Sequence, residues 1–207
     1  MDGVRDLGVF IDGQLMMSDH IKNVCRMALI SLRTLGQLRK YLDRSTTERL
    51  VHAFISSRLD SCNCLLYGLP DTDILKLQRV QNSAARLVTG ARRWDHVTPI
   101  LKDLHWLPIR KRILFKLLLV VYKSRHNLAP TYIKQLITPY HPSRTLRSRS
   151  KGLLQVPRAA RSAKRTYGSR AFFIAAPKEW NALPEHVRRA TSVQSFKTSL
   201  KTYLFNL

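Results

Sequence analysis

Between Ser18 and Ile137 apolar residues return every three or four positions, and Gly36 apart, Pro or Gly falls only where one stretch ends and the next begins. That period buries one stripe of a helix, so this part of the chain can only make a core by packing helices. Ser18 has the character of an N-cap and opens a long helix carrying Ile21, Val24, Cys25, Ala28, Leu29, Leu32, Leu35 and Leu38 to about Tyr41. Ser45 and Glu48 have capping-box spacing ahead of Leu50, Val51, Phe54, Ile55 and Leu59. Asp71 opens a third stripe, with Ile74, Leu75, Leu77, Val80, Gln81, Ala84, Leu87 and Val88, which Gly90 ends. Thr98-Pro99, Pro108 and Pro130 open the remaining helices. The expected fold class is mainly α, with residues 18–138 as one helical bundle.

Ahead of it, Leu7-Gly8-Val9-Phe10-Ile11-Asp12-Gly13 reads as an apolar strand closed by an Asp-Gly turn. Little nearby has strand character, so residues 1–17 read as an orphan edge strand whose neighbours in the sheet are missing.

The composition changes at Pro139. Residues 139–170 read as a basic connector, poor in large apolar side chains, in which Leu153-Leu154-Gln155-Val156-Pro157 has the make-up of a short strand with a hairpin partner around Arg165 to Tyr167. Residues 171–207 return to helical spacing, anchored by Phe172, Phe173, Trp180, Leu183, Val187, Phe196, Leu200 and Leu204, with Ser192 capping the last helix.

Charge narrows the partner. Lys and Arg number 36 against 13 Asp and Glu, a formal +23. No acid stands between Asp103 and Glu179, so residues 104–178 carry +17. Such a surface condenses on polyphosphate and releases counterions. Arginine interleaved with serine in the connector favours phosphate over a merely solvated face, because the guanidinium fork matches phosphate oxygens. The candidate phosphate-binding residues are Arg92, Arg93, Arg110, Lys111, Arg112, Arg144, Arg147, Arg149, Arg161, Lys164 and Arg165. Trp94, Trp106 and Tyr167 lie beside these cations and could stack on unpaired bases. Trp106 and Trp180 are expected as buried anchors, and Trp94 reads equally as core or as a stacking face.

Catalytic constellations are not legible. Cys62-Asn63-Cys64 has one intervening residue where zinc sites use two to four, and these thiols and Cys25 read as small core residues. His20, His52, His96, His105, His126, His141 and His186 are scattered singly. Two-metal phosphoryl transfer needs carboxylates that hold ions ~3.5–4 Å apart. Asp2, Asp6 and Asp12 cluster in the first strand and turn, and the other acids fall at helix starts or on helix surfaces. The chain by itself is not expected to be an enzyme or to hold a cofactor. Its longest strongly apolar stretch, Ile113 to Tyr122, is too short for a bilayer, so no membrane partner is expected either. With no secretory leader at Met1 to Gly13, the chain is expected inside the cell.

Several strings, in order, resemble a known family: Leu7-Gly8-Val9-Phe10-Ile11-Asp12, His20-Ile21, Ser57-Arg58-Leu59-Asp60-Ser61-Cys62-Asn63, Tyr67-Gly68-Leu69-Pro70, Leu77-Gln78-Arg79-Val80-Gln81-Asn82-Ser83-Ala84-Ala85-Arg86, Leu104-His105-Trp106-Leu107-Pro108 and Ala176-Pro177-Lys178-Glu179-Trp180-Asn181-Ala182-Leu183-Pro184, with Phe196-Lys197 and Leu200-Lys201 near the end. They are similar to the segment downstream of the polymerase palm in LINE-type, non-long-terminal-repeat retrotransposon reverse transcriptases of the jockey-like and chicken-repeat kind. The resemblance implies that the strand is the last piece of a palm and that the helices are thumb and connection. It also implies a role in holding RNA template, RNA–DNA hybrid or single strand, and a nuclear location. The family's aromatic-x-Asp-Asp turn has no counterpart here, so Mg2+ and polymerisation would belong to the complete polymerase, through a missing palm domain. The other reading is a free-standing basic helical module that binds nucleic acid or a protein. The orphan strand favours the fragment of a polymerase, since a self-contained module has no use for unpaired strand edges.

Overall fold

A computed structural model describes residues 3–140, 152–157 and 168–207. The chain is mainly helical, and its contacts divide it into two units, Met1–Ile113 and Leu114–Leu207. This division falls inside one long helix, whereas the sequence reading runs a single bundle on to residue 138.

The first unit begins with a hairpin. Strand β1, Val4–Asp6, pairs antiparallel with β2, Val9–Ile11, in the register Val4 to Ile11, Arg5 to Phe10 and Asp6 to Val9. The expected orphan strand is therefore corrected: its first two residues are a two-residue turn, and the strand is paired. Leu7 (φ 44°) and Gly8 (φ 85°) both lie at positive φ, the conformation that matches the twist of a tight hairpin. Leu7 is 96% exposed as a result, although its residue type reads as strand.

Asp12 then turns the chain. Its carboxylate accepts from the Gln14 and Met16 amides at 3.1 and 2.8 Å, and α1, Ser18–Leu38, starts beyond Met17, which sits at φ 56°. Ser18 does not cap it. A 3-10 turn, Arg39–Tyr41, leads to α2, Arg44–Val51. The cap of α2 is Asp43, whose carboxylate accepts from the Thr46 amide at 3.1 Å, so the Ser45/Glu48 capping box goes unused and Glu48 lies 3.6 Å from His52 Nε2. A π turn, His52–Ser56, joins α2 to α3, Ser57–Asp60. At 3.6 residues per turn the four-residue spacing of Val51, Ile55 and Leu59 would drift around the helix; a wider turn absorbs the drift, and all three are buried.

Helix α4, Asp71–Thr89, lies against α1 and α2 and buries Ile74, Leu77, Val80, Gln81, Ala84, Ala85 and Val88. Gly90 ends it at φ 72°, and Arg39 reaches its last carbonyls, Nε to Leu87 O at 3.0 Å. Helix α5, Val97–Asp103, and Trp106 complete this core. Cys62 is exposed and Cys25 and Cys64 are half-buried, so the expectation of three core thiols fails for Cys62; burial pushes the Cys25 thiol up.

The two units share α6, Ile109–Arg125, split after Ile113. In the second unit α7, Thr131–Lys134, precedes a bridge between Pro139 and Leu154. Thus Leu154 does pair, but with Pro139; the expected partner around Arg165 to Tyr167 lies outside the described residues. Helices α8, Phe172–Ala182, α9, Glu185–Arg188, and α10, Val193–Asn206, close the unit around Trp180, Phe196, Leu200 and Leu204, all fully buried. Ser192 caps α10 as read, accepting from the Ser195 amide at 3.1 Å. Among the described residues no helix is long and apolar enough to cross a membrane.

Candidate nucleic-acid interface

In both units the strings that carry the family resemblance act as fasteners. Gln78 and Gln81, one turn apart on α4, grip the chain around Trp106: Gln81 Nε2 donates to Leu107 O at 2.8 Å, and Gln78 Oε1 accepts the Ile109 amide at 2.8 Å. Gln78 Nε2 also donates to Gln81 Oε1 (2.9 Å) and Asn82 Oδ1 (2.7 Å), which fixes both amides. Asp60 accepts from Arg112 Nη1 through both oxygens, at 3.1 and 2.9 Å, and from Asn63 Nδ2 at 3.3 Å. In the second unit Asn181 clamps one residue: its Oδ1 accepts the Leu154 amide (2.9 Å) and its Nδ2 donates to the Leu154 carbonyl (2.8 Å). Trp180 Nε1 donates to Gly152 O at 2.9 Å.

The carboxylates are largely spent. Asp19, Asp60, Asp71, Asp73, Asp103 and Glu185 pair with Lys22, Arg112, Arg110, Lys76, Arg44 and Arg189, while Asp12, Asp43 and Asp95 accept from backbone amides. Lys22 beside it holds the Asp19 carboxyl below its usual range. Among the described residues no group of three or more His, Cys, Asp or Glu could hold a metal ion.

The structure does not treat the candidate cations alike. Arg112 is largely buried and committed to Asp60, and Arg110, though exposed, pairs with Asp71. In the structure these two therefore make internal ion pairs, Arg112 with an acid at the end of α3 and Arg110 with the first residue of α4. Lys111 is half-buried. Arg92 and Arg93 are exposed, in the turn after α4. Arg144, Arg147, Arg149, Arg161, Lys164 and Arg165 lie outside the described residues, as does Tyr167. The tryptophans separate: Trp106 and Trp180 are buried as expected, and Trp94 is 75% exposed.

Other cations escape the sequence reading. Arg26 and Arg33, two turns apart on α1, are exposed beside Leu29 and Ile30, and a count of charge by helical face would have found them. Arg125 lies 5.0 Å from the Trp180 ring centre, and Arg188 is mostly buried with Nη1 3.4 Å from Asn181 O. Burial, then the Arg188 charge, lower Arg125 from its ordinary value; no sequence spacing announces this pair.

Compared with family models, with curated proteins and with solved structures, the chain matches none, so the family resemblance rests on the sequence strings.

Proposed function

We propose that this chain is a nucleic-acid-holding helical region of a LINE-type reverse transcriptase, gripping RNA template, RNA–DNA hybrid or single strand by its phosphates while a palm domain outside these residues supplies Mg2+ and polymerisation. The observation that carries the reading is the disposition of charge. Most of the described acids are taken up by internal pairs and caps, so few anions of the chain itself are left to meet its net +23, which is open to an outside polyanion. The fasteners support it from a second side, since the strings shared with that family hold the helices in place and leave polymer binding to the charged surface.

A second reading has an observation of its own. β2 is paired with β1, so the unpaired strand that favoured a polymerase fragment is gone, and a free-standing basic module that binds nucleic acid or a protein gains from it.

The test is salt dependence. Each phosphate neutralised on a single strand contributes ~0.7 to the slope of log affinity against log salt, so alanine at Arg144, Arg147, Arg149, Arg161 and Arg165 should flatten it by roughly three to four. An unchanged slope in a folded variant moves the surface to Arg92, Arg93, Arg110, Lys111 and Arg112. Salt-insensitive binding by the parent chain removes the nucleic-acid reading and leaves a protein-interaction module.

A further inference from the structure

We infer that Trp94 is a stacking platform for an unpaired base, flanked by phosphate contacts from Arg92 and Arg93, so that this corner of the first unit takes single-stranded nucleic acid in preference to duplex. The inference rests on the nucleic-acid reading above and names its ligand class and one of its sites.

Trp94 is out of place as a structural residue. Tryptophan is the largest apolar side chain, and this chain buries its other two to 4% and 0% exposure while leaving Trp94 at 75%. The ring does not sit on a loose loop. Arg92 and Asp95 close the turn in both directions: the Asp95 amide donates to Arg92 O at 3.2 Å, and the Asp95 carboxylate accepts the Arg92 amide at 2.7 Å. Arg86 on α4 donates to Asp95 O at 3.0 Å, and the end of α4 behind it is held by Gly90 and Arg39. Trp94 therefore sits at the corner of an anchored turn, so little backbone entropy is lost when something lies on the ring.

The surroundings select the occupant. The Arg92 guanidinium lies 5.9 Å from the Trp94 ring centre, and Arg93 is exposed; neither has a carboxylate partner among the described residues, because Asp95 is engaged by the backbone. Apart from Trp94, residues 92–96 are charged or histidine, so the exposed ring stands in a polar, net basic stretch of chain rather than in an apolar run. A flat, exposed ring with one unpaired guanidinium beside it and a second on the adjacent residue fits a base with its phosphates. In a duplex the base faces are already stacked on one another, which leaves only an unpaired base to present one.

Trp94 is the exposed one of three tryptophans, so intrinsic fluorescence reads this site directly. The full chain is titrated with a short oligothymidylate and with a mixed-sequence duplex, in parallel with Trp94→Ala and Trp94→Phe. The single strand should quench the water-exposed emission. Trp94→Ala should weaken single-strand binding roughly tenfold, the loss of one stacked base. Duplex affinity should be unchanged, and Trp94→Phe should recover most of the loss. Single-strand binding without quenching, and with the same affinity in Trp94→Ala, would overturn the stacking site and leave the nucleic-acid reading standing. An equal loss on duplex would also overturn it, as a contact that ignores base pairing. Failure of the parent chain to bind either polymer would bring down both readings. Circular dichroism should show Trp94→Ala folded as the parent is, because the ring contributes nothing to the core.

Discussion

Replacing Gln81 with leucine keeps most of the side chain's volume and removes the single donor that Leu107 O receives from α4. Gln81 is 1% exposed and Leu107 6%, so water does not reach the abandoned carbonyl. A buried acceptor left without a partner costs ~1–3 kcal/mol. Gln78 also loses an acceptor for its Nε2 but keeps Asn82, so little is added there. The expected loss is about 2 kcal/mol, and with a urea m-value of roughly 1–3 kcal/mol/M the unfolding midpoint should fall by about 1 M. Gln78→Leu leaves the Ile109 amide, Gln81 Oε1 and Asn82 Oδ1 without their Gln78 partner, and with Ile109 and Gln81 buried it should cost a comparable ~1–3 kcal/mol. Because the two side chains share a hydrogen bond, the double variant should depart from additivity by at least ~0.5 kcal/mol. The assay is urea unfolding followed by circular dichroism, with amide exchange at Ile109 to localise the change. An unchanged or higher midpoint for Gln81→Leu, at unchanged m, would refute the fastening of the Trp106 segment through Gln81.

In the second unit, Asn181→Ala should cost about 2 kcal/mol and speed amide exchange at Leu154, since both backbone groups of that residue lose their partner; unaltered exchange would count against the clamp. Burial holds His20 below its ordinary pKa, and its Nδ1 is buried without a partner. A lowered folded value means that stability is intact above the unfolded pKa of ~6.5 and falls as pH drops from there toward the folded value, by at most ~1.4 kcal/mol per pH unit. His20→Leu should remove that part of the slope, and a variant with the parent's full slope would show that His20 is not its source.

Sequence periodicity by itself determined the helices, because a buried stripe at 3.6 residues is written locally: α1, α4, α6 and α10 start and stop close to where Ser18, Asp71, Pro108, Ser192 and Gly90 place them. Trp180 lies on such a stripe, whereas Trp106 lies in the segment between α5 and α6 and its burial was legible only from its size. What tertiary structure alone decided is which polar group meets which. Asp43 rather than Ser45 caps α2, since a cap depends on the backbone geometry at one residue and several nearby side chains were eligible. Leu7 became a turn because a two-residue hairpin with both φ values positive is set by strand pairing, and Leu-Gly lacks the usual Asn-Gly or Asp-Gly signature. Arg110 and Arg112 looked equal to Arg92 and Arg93 in a count of charge, yet Asp71 and Asp60 are distant in sequence and only folding carries them within reach. Trp94 was undecidable for the complementary reason: a single aromatic among charges has no stripe to join, and only the closure of the Arg92–Asp95 turn put it in water.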